Sequence, residues 1–246
     1  MPPSVASIMA ASRYVTDSRA PRYSLLFALP LLLAYEGLAW FLSDPTAGGV
    51  RNGADVILKG LFAAAGGARG VLAFEVGLGL LGVWLIGRDW RRHPGPLRAS
   101  YFGGMLLESS VLAVLVGLIV GRATNSLLHI LAIGQTGASI DLPTQLMISL
   151  GAGIYEELLF RVVLVGSLAW AGARLFGWAP RTAGIVAAVA GALLFSAFHY
   201  IGAYGDPLEL PSFLFRFLAG LVFSGVYLLR GFGIAAWTHA LYDVFV

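Results

Sequence analysis

A chain of 246 residues that is 58% hydrophobic and only 12% charged lies outside the range of soluble domains, in which about 25% of residues are charged. Its mean hydropathy is +0.82, carried by long continuous apolar runs. These exclude the short alternating strands of a β-barrel and predict an all-α, polytopic bundle of transmembrane helices in a lipid bilayer. The net charge of +3 is carried by arginine, Lys59 being the only lysine. In such a chain it reports orientation, and no nucleic-acid partner is expected. The absence of cysteine excludes disulfides and thiolate metal sites.

Residues 1–22 are polar and rich in small residues, with Arg13, Arg19 and Arg22, and lack the layout of a secretory signal. They are read as a cytoplasmic tail, disordered or lying at the interface. A first span is predicted over 23–42 and ends at Ser43-Asp44-Pro45. A short amphipathic helix over 55–65 precedes a second span over 70–86. The loop 88–98 holds four arginines and two prolines. The third span covers 101–120, and 124–133 is read as a second interfacial helix. Pro143 starts the fourth run, which continues to about residue 176. The fifth covers 182–204, with Pro207 and Pro211 punctuating the loop after it, and the sixth covers 212–229. Residues 234–246 form a last helix of at most 13 residues, too short for a core needing about 20, so it is expected inside the bundle. The fold class is thus six long spans plus a short carboxy-terminal membrane-inserted helix. Three parts are expected: the tail 1–22, an amino-terminal membrane region 23–140, and a helix bundle 141–246.

With the amino terminus inside, the inner segments carry Arg13, Arg19, Arg22, Arg88, Arg91, Arg92, Arg98, Arg174, Arg181 and Arg230. The outer segments carry Arg51, Lys59, Arg69 and Arg122. Ten against four obeys the positive-inside rule and predicts a cytoplasmic amino terminus.

Ionisable groups within apolar helices cost roughly 2.5–3.5 kcal/mol each on insertion scales, so each needs a reason. Among the thirteen acidic residues, Glu36, Glu75, Glu108, Glu156, Glu157 and Asp243 fall inside predicted helices, as do Arg161, His199, Arg216 and His239. Glu157 and Arg161 are four apart and can pair on one helix face. Glu156 is rotated by about 100° and left free to act as a base. His199 closes Phe-Ser-Ala-Phe-His, with Phe195 one turn before it. His239 and Asp243 are again four apart, a spacing that permits a histidine–carboxylate bond. Taken singly, each is as readily a structural pair or an interfacial histidine. Arg216 is expected to pair with Glu36 or Glu108, and Glu75 to reach the interface.

The ordered set Glu-Glu-x-x-x-Arg, Phe-x-x-x-His and His-x-x-x-Asp, spread over residues 151–243, resembles the CAAX-protease and bacteriocin-processing (CPBP, or Abi) family. Type II CAAX prenyl endopeptidases are part of that family. The resemblance implies an intramembrane glutamate endopeptidase acting on a membrane protein or peptide, in a prokaryotic plasma membrane. It implies that Glu156 and His199 activate water, that Glu157 and Arg161 hold the site in register, and that His239 and Asp243 stabilise the oxyanion. The family has Asn or Asp at the last position. An ionised Asp cannot donate to an oxyanion, so Asp243 is expected to orient His239, which then donates alone. No cofactor is expected. Zinc is the lesser alternative, because two histidines and a carboxylate can bind it, yet the His-Glu-x-x-His pattern is absent and the ligands are spread over three helices. Two other readings stand beside the protease: a non-proteolytic membrane scaffold or chaperone of the same fold, and a proton-coupled transporter, for which no internal repeat is seen.

Overall fold

The computed structural model describes residues 5–43, 50–128, 141–201 and 205–245. Its elements are α1 (Val5–Arg19), α2 (Pro21–Phe41), α3 (Gly53–Arg92), α4 (Ala99–Leu128), α5 (Leu142–Gly151), a π-helical segment (Ala152–Val165), α6 (Gly166–Leu175), α7 (Pro180–Phe198), α8 (Leu210–Arg230) and α9 (Phe232–Phe245). Pro21, Pro143, Pro180 and Pro211 all fall in first turns, where a missing N–H leaves no hydrogen bond unmade. Six runs are long and apolar enough to cross a membrane: α2, α3, residues 99–124 of α4, the continuous rod α5–π–α6, α7 and α8. These are the six spans expected from hydropathy. Their outward faces carry large exposed side chains such as Leu33, Leu80, Val83 and Leu107, the surface that a lipid-facing bundle requires.

The seam of the bundle begins on α2, where Tyr23, Phe27, Leu31, Tyr35 and Ala39 recur every four residues and are all buried. Such a row lies along one helix face. It packs against α9, whose Gly233, Ile234, Ala235, Ala236, Thr238, His239, Ala240 and Tyr242 are buried on nearly all sides. The rod, α4 and α8 close around the same helix. At about 21 Å for 14 residues, α9 is short, and it is the centre of the molecule.

Several details depart from expectation. Residues 5–19 of the expected tail form a helix, α1. The helix expected over 124–133 is a continuation of α4 to Leu128, and its remainder lies outside the described residues. The fifth span ends at Phe198 rather than near 204, and residues 202–204 are likewise outside them. The short helix expected over 55–65 is the first arm of α3. Gly66 and Gly67 leave helical geometry, Gly67 at φ 57°, in the left-handed region that glycine adopts freely. In a straight helix Lys59 and Glu75 would lie about 24 Å apart, yet their charged groups are 3.1 Å apart. The chain therefore doubles back, and the rings of Phe62 and Phe74 stack across the fold at 4.8 Å.

The two ends of the bundle differ in chemistry. At one end Arg22 pairs with Asp89 at 3.5 Å, the Arg98 N–H donates to the Tyr23 hydroxyl at 2.9 Å, and Arg19 reaches the Leu228 carbonyl at 3.0 Å. Glu108 joins this end, bonded by Arg230 at 2.9 Å and by the Tyr14 hydroxyl at 2.8 Å. At the opposite end Asp55 accepts from Arg51 and Tyr35 at 2.8 and 2.7 Å. Glu36 there binds Arg51, Lys59 and Tyr155 at 3.1, 3.0 and 2.6 Å. Arg216 pairs with Asp206, not with Glu36 or Glu108, because both of those are already occupied. Glu75 is held by Lys59.

Candidate active site

The segment from Ala152 to Val165 is wound as a π-helix, and the Gly166 N–H donates to the Arg161 carbonyl five residues back. Such windings are rare and recur at functional sites. A wider turn rotates successive residues by less than the 100° of an α-helix, so the two neighbouring glutamates diverge less than the α-helical spacing predicts. Both face α9, where His239 stands between them. His239 Nδ1 donates to Glu157 Oε1 at 2.7 Å, and Glu156 Oε2 lies 4.0 Å from Nε2.

Close approach makes this possible. A Cβ on Gly153 would collide with the Ala236 carbonyl oxygen and the Ala240 Cβ, so the rod and α9 touch backbone to backbone there. On the adjoining face, Gly151 is equally tight against Tyr35 and Asn52. Asn52 is the N-cap of α3: its Oδ1 accepts from the Ala54 N–H at 2.9 Å, and its Nδ2 donates to Glu156 Oε1 at 2.8 Å. Its backbone N–H donates to Tyr35 at 3.2 Å. Glu156 is thereby fixed by a side chain from the other half of the sequence.

Arg161 Nη1 lies 3.2 Å from Glu157 Oε1. Its guanidinium rests over the rings of Phe195 at 4.4 Å and Phe223 at 5.5 Å, and desolvated cation–π contacts reach about 2 kcal/mol. Phe223 also stacks on His239, with centroids 4.2 Å apart and planes at 19°. The imidazole is thus clamped on its face by an aromatic ring and on its edge by a carboxylate. His199 caps α7, where its Nδ1 donates to the Phe195 carbonyl at 2.8 Å. In the neutral imidazole that bond puts the proton on Nδ1 and leaves Nε2 as an acceptor. Phe195 stands beside both histidines, 4.9 Å from His199 and 6.2 Å from His239.

Asp243 Oδ2 is 3.6 Å from His239 Nε2, too far for a hydrogen bond. The residue that orients the imidazole is therefore Glu157 rather than Asp243, because Nδ1 points into the rod and only Nε2 turns toward the end of α9. Burial is graded through the cluster: the side chains of Glu157 and Arg161 are 0% and 1% exposed, His239 is 4%, Glu156 10% and Asp243 28%.

Six sequence-predicted site residues can be placed: Glu156, Glu157, Arg161, His239 and Asp243 form one cluster, and His199 adjoins it through Phe195. Asn52 and Phe223 were not anticipated. Asn52 carries a usable local signal, an asparagine just before a helix with Asp55 in its first turn, but nothing local points to Glu156. The zinc alternative needs three ligands converging on one point, and among the described residues no three histidine, aspartate or glutamate side chains are so arranged.

Residues 138–245 match a family model described as Type II CAAX prenyl endopeptidase Rce1-like. The matched stretch contains all three motifs, so the likeness to CAAX-type intramembrane proteases covers the part of the chain that carries the site. No curated protein and no solved structure matches the chain.

Proposed function

We propose that the protein is an intramembrane endopeptidase that hydrolyses a peptide bond of a membrane-associated protein or peptide, with Glu156 as general base. The observation that carries this reading is the pair of adjacent glutamates on one imidazole. Glu157 is neutralised by Arg161 and orients His239, while Glu156 is held by Asn52 with its second oxygen toward the reaction space. Glu156 takes a proton from water, assisted by the acceptor Nε2 of His199, and the water oxygen bonds to the carbonyl carbon. The carbonyl electrons move onto oxygen, where protonated His239 donates from Nε2 while Nδ1 remains on Glu157. As the C–N bond breaks, Glu156 returns the proton to the leaving amine. Asp243, near Nε2 and part-exposed, borders the substrate side of the imidazole. The reading needs no metal ion, and the arginine distribution supports an amino terminus on the cytoplasmic side.

The test is Glu156→Gln, which removes the base and keeps the shape. Processing of membrane-associated peptides, followed by comparative proteomics of membranes, is expected to fall by about 10²–10⁴-fold. Processing at the wild-type rate would overturn the assignment and favour a binding role for the same fold.

A further inference from the structure

We infer that the site opens toward the non-cytoplasmic face of the membrane, so that the substrate is an extracytoplasmic juxtamembrane segment of a membrane-anchored polypeptide. This rests on the protease reading for the word substrate, but its sidedness rests on separate observations. The ten arginines of the basic segments gather at the end of the bundle where α1 meets α2, α3 meets α4, α6 meets α7 and α8 meets α9. The bonds Arg22–Asp89, Arg98–Tyr23 and Arg19–Leu228 tie the first, second and fourth of these junctions together. The positive-inside rule makes that end cytoplasmic.

The site's accessible groups come from the other end. His199, which caps the finish of α7, and Asp243, two residues before the end of α9, are these groups, and the buried Asn52 caps the start of α3 at the same end. The Asp206 N–H donates to the His199 carbonyl at 2.9 Å, and Ser196 Oγ donates to the Phe213 carbonyl at 2.7 Å. These bonds join the finish of α7 to the segment entering α8. The rod runs from that end toward the basic one, so Arg161, a turn beyond Glu157, is the deeper of the two. Glu157, Arg161 and the Phe195–Phe223 rings therefore close the cytoplasmic side, while exposure rises through Glu156 to Asp243. A peptide reaches Glu156 from the non-cytoplasmic side.

Because the chain contains no cysteine, single cysteines report sidedness cleanly. Leu208→Cys stands two residues from Asp206 in an exposed loop, and Arg91→Cys stands exposed at the basic end. With a membrane-impermeant maleimide on intact cells, Leu208→Cys is expected to label as fully as in permeabilised membranes. Arg91→Cys is expected to label only after permeabilisation. The reverse pattern, or equal labelling of both in intact cells, overturns the inference. In parallel, amino-terminal proteomics of cells carrying wild type or Glu156→Gln is expected to show lost cleavage sites in extracytoplasmic segments. Lost sites confined to cytoplasmic segments overturn the inference, whereas outward labelling with no site lost upholds the sidedness and removes the proteolytic reading alone.

Discussion

Glu157 and His239, 82 positions apart in sequence, are joined by a 2.7 Å hydrogen bond between buried groups, and this bond leaves Nε2 as the imidazole nitrogen that faces Glu156 and Asp243. Glu157 in turn depends on Arg161, so charge balance and tautomer are set by one three-residue chain.

Breaking that chain separates stability from chemistry. Arg161→Leu leaves the Glu157 charge buried without its cation and is expected to cost about 3–5 kcal/mol, read as a lowered unfolding midpoint in detergent. The double variant Glu157→Gln with Arg161→Met removes both charges. It is expected to regain most of that stability but not activity, since an amide holds the imidazole less firmly than a carboxylate. Recovery of activity along with stability would show that Glu157 has no orienting role.

Asn52 serves two partners, and two substitutions tell them apart. Asn52→Ala loses the helix cap, worth about 1 kcal/mol, together with the donor to Glu156. Asn52→Asp keeps the cap but turns the donor into an acceptor facing a carboxylate. Both are expected to lower turnover by about tenfold or more, a loss of roughly 1.4 kcal/mol in transition-state stabilisation. Only the alanine variant should loosen the start of α3 in hydrogen exchange.

The contact at Gly153 leaves no room for a methyl group. Gly153→Ala must push α9 away from the rod, with an expected cost of about 1–3 kcal/mol and a loss of activity as His239 is drawn from Glu157. Gly225→Ala on α8 is the control: a Cβ there meets nothing within 4 Å, and the change should be neutral or slightly stabilising. Equal effects at the two positions would remove the argument from close packing.

Asp141, fully exposed at the head of the rod, accepts hydrogen bonds from Thr144 that hold its carboxyl below the usual range. A group whose folded pKa is depressed contributes its stability above the unfolded pKa and loses it as pH falls through the folded one. Exchange protection of residues 142–145 is therefore expected to decline only in acid, below about pH 4, and Asp141→Ala should abolish that dependence.

Hydropathy made the six spans legible because length and apolarity alone decide whether a helix can cross a bilayer. The shortness of 234–246 likewise showed that this helix needed a protein environment. Clustering of the three motifs was legible from order and type, since expensive groups on separate helices pay their cost best by meeting. The π winding was not, because hydropathy does not distinguish a hydrogen bond five residues back from one four back. With that winding Glu156 and Glu157 both face one imidazole, whose hydrogen bond goes to Glu157 and not to Asp243. Arg216 was assigned distant partners because Glu36 and Glu108 were the carboxylates visible at helical depth. Its real partner, Asp206, lies in the loop just before α8. Asn52 was invisible as a site residue because its bond to Glu156 spans 104 positions.

The central position of α9 has a consequence for biosynthesis. Chains emerge amino terminus first, so α2, α4, the rod and α8 are all made before the helix that carries His239. Until α9 slides between them, Glu157 and Arg161 are present without the imidazole, and Glu157 lacks the hydrogen bond that His239 supplies. The cluster is thus completed only when a segment too short to be threaded across lipid by itself docks into a groove already lined for it.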